Sequence, residues 1–190
     1  MSYFANAGSI IIDVLFGLVV SLFVVRMLLQ LVRANFYNPV CQFFYRATNP
    51  LLTPMRRVLP PWRGFDIAAT LVAFLLECLK VWLLFALAGL VLGPGATLVL
   101  GLAELLLFVL MLYFWLILVR VILSFVGQGS GHPMVPLLFQ ITEPVLRPIR
   151  RVLPQPGGFD LSPLVATLTI AVARALLVAP LSDLGAWLAQ

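Results

Sequence analysis

The stretch Pro50-Leu51-Leu52-Thr53-Pro54-Met55-Arg56-Arg57-Val58-Leu59-Pro60 returns 94 residues later as Pro144-Val145-Leu146-Arg147-Pro148-Ile149-Arg150-Arg151-Val152-Leu153-Pro154. The same shift, without a gap, carries Gly64-Phe65-Asp66 onto Gly158-Phe159-Asp160, Arg26 onto Arg120, Pro39 onto Pro133, Thr48 onto Thr142 and Lys80 onto Arg174. Coincidences this numerous at one offset mean that the chain is a duplicated unit. The first repeat takes residues 1–95 and the second 96–190.

On either side of the duplicated segment the sequence turns apolar. Four runs, Ile10 to Leu31, Ile67 to Leu92, Ala96 to Val126 and Leu161 to Leu188, each reach the length of about 20 residues that crosses hydrocarbon. Composition agrees: of 190 residues, 63% are hydrophobic and only 10% are charged, with a mean hydropathy of +1.11. Soluble domains carry roughly 25% charged residues, and a soluble fold of this length cannot hide so much apolar surface. The expected fold class is an all-α membrane protein. Its four transmembrane helices form two parallel two-helix repeats, each with an amphipathic interfacial helix and a proline-rich basic loop. Gly93-Pro94-Gly95 reads as a tight turn between the second and third spans.

Each unit crosses twice, so both copies share one orientation and both long loops lie on one face. The first loop carries Arg33, Arg46, Arg56, Arg57 and Arg63, and the second Arg147, Arg150 and Arg151 beside Glu143. The short turn and both ends carry no Lys or Arg. This bias places both long loops in the cytoplasm and both termini outside. Met1 to Gly8 has no cation, so the first apolar run reads as a span and no cleavage is expected. The net charge of +5 comes from 12 Lys+Arg against 7 Asp+Glu. These cations sit beside membrane segments, which argues against nucleic acid as a partner.

Within the loops, Asn38-Pro39 is a helix cap followed by a proline at the first helical position. Val40, Phe43, Phe44 and Ala47 then recur at helical spacing, as do Met134, Leu137, Leu138 and Ile141 after His132-Pro133. A helix of about ten residues with one apolar face lies in the headgroup boundary rather than across it. Pro50 and Pro144 are expected to stop it. Pro54 and Pro60, with Pro148 and Pro154, then hold each arginine pair in a stiff arm. Gly64 and Gly158 permit a tight turn, and Asp66 and Asp160 cap the next membrane helix, with Ser162-Pro163 as an alternative cap in the second copy. Two readings of the arm stand side by side. One is a topology signal and rigid turn. The other is a docking surface on which Arg56, Arg57, Arg150 and Arg151 take lipid phosphates or a partner.

Ionisable groups at membrane depth are costly and therefore candidates for function. Arg26 and Arg120 lie near the cytoplasmic edge, whereas Lys80 and Arg174 lie past mid-membrane. Glu77 stands one turn before Lys80, its expected ion-pair partner, with Arg26 as the alternative. Asp13 and Glu104 occupy near-equivalent positions of the two repeats. Arg26, Glu77, Lys80, Glu104, Arg120 and Arg174 together make a possible polar seam, either an ion path or the glue of the bundle. Gly17 with Ser21, Gly89 with Gly93, and Ala171, Ala175 and Ala179 have small-xxx-small spacing, for packing inside the chain or self-association.

The duplicated NPLLTPMRRVLPPWRGFD and TEPVLRPIRRVLPQPGGFD segments, each after a span bearing Arg26 or Arg120, resemble the YggT family of small membrane proteins. The likeness covers almost the whole chain, although Glu143 and Gln155-Pro156 depart from the first copy. The resemblance implies the two-copy bacterial form; relatives in cyanobacteria and plastids carry one copy. It implies residence in the bacterial inner (plasma) membrane, with links to osmotic or potassium homeostasis and to envelope or division functions. In plastid relatives the links are to cytochrome assembly or nucleoid organisation. It supplies no catalytic residues.

The function expected is that of a non-enzymatic organising or assembly factor working through basic cytoplasmic loops. The alternative is a channel- or transporter-like component of potassium or osmotic homeostasis. An enzyme needs a nucleophile, a metal set or an acid–base pair. His132 is the only histidine, and Cys41 and Cys78 stand alone, so no cofactor or metal is expected. Expected partners are anionic lipid headgroups, a membrane or cytoplasmic protein, and further copies of the chain.

Overall fold

A computed structural model describes residues 3–126, 133–153 and 160–190. His132, Pro154 and Gly158 therefore lie outside the described residues. The described chain is all helical, with no strand among those residues. Helix α1 (Tyr3–Leu31) is followed by α2 (Pro39–Met55), α3 (Ile67–Leu87), α4 (Pro94–Val126), α5 (Met134–Val152) and α6 (Ser162–Ala173). A π-helical turn, Arg174–Val178, joins α6 to α7 (Ala179–Leu188), and this run forms one apolar helix, Ser162–Leu188. Among the described residues there are thus four helices long and apolar enough to cross a membrane. The π-turn has a local cause. The Pro180 ring conflicts with the carbonyl four residues back, and the wider turn hydrogen-bonds Ala179 N to Arg174 O instead.

Backbone packing runs in the order α1 on α3, α3 on α4, and α4 on α6–α7. The main core lies between α1 and α3 around Val20, Val24, Leu28, Ala69 and Val72, and Phe108 and Leu112 of α4 reach into it. A smaller core around Ile117, Leu146, Ala166 and Ile170 serves the second repeat. Most of the apolar surface of the spans is exposed within the chain itself. That is the pattern of helices solvated by lipid rather than by one another.

Two local expectations differ from the structure. The prolines do not stop the loop helices: α2 continues through Pro50 and Pro54, and α5 through Pro144 and Pro148. In each helix the two prolines are one turn apart and exposed, in line with exposed Arg46 or Gln140. The carbonyls that lose their amide partner therefore face outward, where solvent can satisfy them. The connection between α3 and α4 is also earlier than Gly93-Pro94-Gly95. Gly89, at a φ of +76, closes α3, with Leu90 N donating to Phe85 O at 3.0 Å. Pro94 is already the first residue of α4, where its missing N–H costs nothing.

Candidate functional site: a duplicated arginine clamp and an intramembrane charge cluster

Arg26 is wholly buried, though it sits in an apolar helix. It emerges where α2 crosses α1, and Nη1 donates to Thr48 Oγ1 at 2.5 Å and to Tyr45 O at 3.2 Å. The guanidinium lies 4.2 Å from the centre of the Tyr45 ring. Arg120 does the same in the second repeat, donating to Thr142 Oγ1 at 2.7 Å and Phe139 O at 3.3 Å, 4.5 Å from the Phe139 ring. Each threonine hydroxyl in turn donates one turn back, to Phe44 O at 2.6 Å and Leu138 O at 2.8 Å. A charged donor on a hydroxyl, a carbonyl and a ring face is a strong and directional contact. It fastens the loop helix to the spanning helix in both halves. Burial also pushes the Tyr45 phenol and the Cys41 thiol on α2 up from their ordinary values.

The repeated arginine pair divides in two. Arg56 turns inward and donates to the Asp66 carboxylate and to Gln30 Oε1, the latter at 2.8 Å. Asp66, whose side chain is 1% exposed, also accepts from Ala69 N at 3.2 Å and so caps α3. Arg150 likewise meets Asp160, Nη2 to Oδ2 at 2.9 Å, and Asp160 accepts from Ser162 N at 2.9 Å. Arg57 and Arg151 are exposed and have no side-chain partner among the described residues. Pro54 and Pro148 lie within the helices that present these pairs, and Pro60 is exposed beyond the first. Arg63 and Gly64, both at positive φ, form the turn between Trp62 and Phe65, which aims Asp66 back at Arg56.

The two halves balance charge differently. In the first, Asp66 serves both arginines, with Arg26 Nε 3.6 Å away. In the second, Glu143 bridges Arg120 at 2.9 Å and Arg150 at 3.2 Å, where the first repeat has Asn49. The two loop assemblies also touch. Asn38 Nδ2 donates to Pro133 O at 2.7 Å, and Gln140 Nε2 to Val32 O at 3.1 Å. An apolar cavity of about 330 Å³ lies under them, lined by Leu29, Phe44, Leu116, Val119, Leu138 and Ile141 among others.

The intramembrane candidates form no single seam. Arg26 and Arg120 belong to the clamps just described. Glu77 pairs with Lys80, not Arg26: Lys80 Nζ lies 2.6 Å from Glu77 Oε2 and 3.0 Å from Glu104 Oε2 on α4. Glu77 Oε1 is buried with no hydrogen-bond partner among the described residues. Arg174 stands apart in an open cleft of about 630 Å³ between α4 and α6–α7, beside Leu107, Ala171, Ala175, Ala179 and Ser182. Two of the small-residue pairs do not mark internal helix packing: Gly17 meets nothing, and Gly89 is a helix stop. Close approaches occur instead at Gly185, against the Leu100 side chain, and at Gly101, where an added Cβ would come to 3.0 Å from the Cys78 backbone on α3. Gly101 is a lone glycine in an apolar run, with no spacing to signal it. No group of three metal-ligating side chains occurs among the described residues.

The duplication itself is also found by comparison with known proteins. The chain is 41% identical to a protein in the proC 3′ region of Vibrio alginolyticus, over 90% of this chain and 94% of that one. It is 35% identical to the YggT protein of Escherichia coli K12, over 88% of this chain and 87% of the relative. No solved structure matches it. The CCB3/YggT family model matches twice, at residues 5–87 and 99–181, and the chain belongs to that family as a two-copy member.

Proposed function

We propose that the protein is a non-enzymatic organiser of the bacterial inner membrane, which offers a rigid basic platform to anionic headgroups and to a protein partner. The carrying observation is the division of each arginine pair: Arg56 and Arg150 are consumed by internal contacts, while Arg57 and Arg151 are displayed without partners among the described residues. Exposed Arg46, Arg63 and Arg147 extend the display. In this reading α2 and α5 are interfacial helices and the proline-rich segments are cytoplasmic, with both termini outside, following the charge bias. Each displayed cation near an anionic surface contributes about 1 kcal/mol. The buried clamps support the reading, because a surface fastened at both helices loses little freedom on binding.

A second reading rests on Glu77, Lys80 and Glu104, whose charges at membrane depth suit an ion-homeostasis component. The test that separates the two is photo-cross-linking in native membranes from Val58 and Val152, both exposed beside the displayed arginines. A defined protein adduct from both positions is expected. Adducts with lipid or with the chain itself alone would refute the organiser and favour the ion reading.

A further inference from the structure

The cation of one repeat is satisfied and that of the other is not. Lys80 on α3 is paired with Glu104 across the α3/α4 contact. Its repeat counterpart, Arg174 on α6, is exposed in the open cleft and makes no ion pair or side-chain hydrogen bond among the described residues. A full charge at that depth without a partner is costly. An acid in the same situation exists elsewhere on the chain. Asp13 on α1 is exposed and, although it lies within electrostatic range of Glu77 in its own chain, has no cationic partner among the described residues. Asp13 is the repeat counterpart of Leu107, which lines the Arg174 cleft. The acid and the cation therefore lie at the same membrane depth.

Repeat geometry says how they meet. The operation that carries the first repeat onto the second takes α1 to α4 and α3 to α6. Extended by one more step from the α3/α4 contact, it sets α6 against the α1 of another copy, since α1 and α6 make no extensive contact within one chain. The surfaces that would be joined are left bare. Ile10 and Ile11 on α1, counterparts of Glu104 and Leu105, are 62% and 58% exposed, and Val172 on α6, counterpart of Cys78, is 48% exposed. We infer that the protein self-associates head to tail in the membrane, with α1 of one copy in the α6 cleft of the next and Asp13 paired to Arg174. Asp13 sits one turn, about 4.5 Å, from the strict Glu104 equivalent, and arginine, with its longer reach, stands where the first repeat has lysine. The partner copy thus supplies the missing acid of the cleft. Such a heterologous contact closes into a ring or runs on as a row, according to the rotation per copy.

The test uses two differently tagged copies of the full chain, extracted in mild detergent or lipid nanodiscs and read by co-purification. Wild-type copies should co-purify. Asp13→Arg alone and Arg174→Asp alone should each lose at least tenfold of that signal. Co-expressing the Asp13→Arg chain with the Arg174→Asp chain should restore it, because each then presents the charge the other lacks, and recovery also shows that both variants fold. The inference is overturned if wild-type copies do not co-purify, including the case of a monomer that retains an anionic phospholipid. It is overturned equally if either single variant keeps the wild-type signal, or if the mixture of variants fails to recover it.

Discussion

At the scale of the residue, Glu77 shows how much one position depends on its neighbours. Sequence spacing identifies Lys80 as its partner, and the structure adds Glu104 as a third member on the facing helix. Losing one partner of a buried pair costs about 3–5 kcal/mol, whereas removing all partners together can be nearly neutral. Glu77→Gln should therefore lower the melting temperature in detergent, by less than a fully stranded cation would, because Lys80 keeps Glu104 at 3.0 Å. Adding Lys80→Met should not fully restore it, because Glu104 then stands alone at the α3/α4 contact. The triple change with Glu104→Gln should come closest to wild type. Unchanged melting of Glu77→Gln with altered ion flux in proteoliposomes would instead support the ion-homeostasis reading. Glu104 as a partner was legible only as a nearby charge, since no spacing rule places residues of two different helices side by side.

At the scale of the element, the spanning helices and the caps at Asn38 and Asp66 could be read from the chain, because apolar length and capping chemistry are local. The extent of α2 and α5 could not. Pro50 and Pro144 read as helix stops, with Pro54 and Pro148 in a stiff arm beyond them, and only the outward orientation of all four, a tertiary property, lets the helices pass through them. Asp160, just before α6, offers a test of a cap. Burial works against its ionisation, but donors from Ser162 and Arg150 outweigh that and hold its carboxyl below the ordinary value. A lowered folded value stabilises the fold above the unfolded value of about 3.9, and the contribution is lost as pH falls through the folded value. Asp160→Asn should therefore melt lower than wild type at neutral pH, and the gap should close as pH falls below about 4. The side chain is partly exposed, so the gap is a modest one. A gap that stays constant down to acid pH would show that Asp160 acts as a neutral cap.

At the scale of the whole molecule, duplication is the organising fact, and the offset of 94 residues makes it visible in sequence. What duplication hides is that paired residues have unequal tasks. Arg56 and Arg57 look alike in the chain, as do Arg150 and Arg151, yet in both copies the first is internal and the second displayed. The repeats also differ in how they neutralise the clamp, through Asp66 in one and Glu143 in the other, so repetition of sequence coexists with asymmetry of charge. The central claim is this division of labour. It is tested most directly by the melting temperatures of two matched double variants purified in the same detergent, Arg56→Gln with Arg150→Gln and Arg57→Gln with Arg151→Gln. The first pair should melt several degrees below wild type, since it takes from buried Asp66 the nearer of its two arginines, at a cost on the order of 2 kcal/mol. The second should melt within a degree or so of wild type, as exposed substitutions usually change stability by less than about 0.5 kcal/mol. Equal losses from both pairs, or a larger loss from the second, would contradict the account.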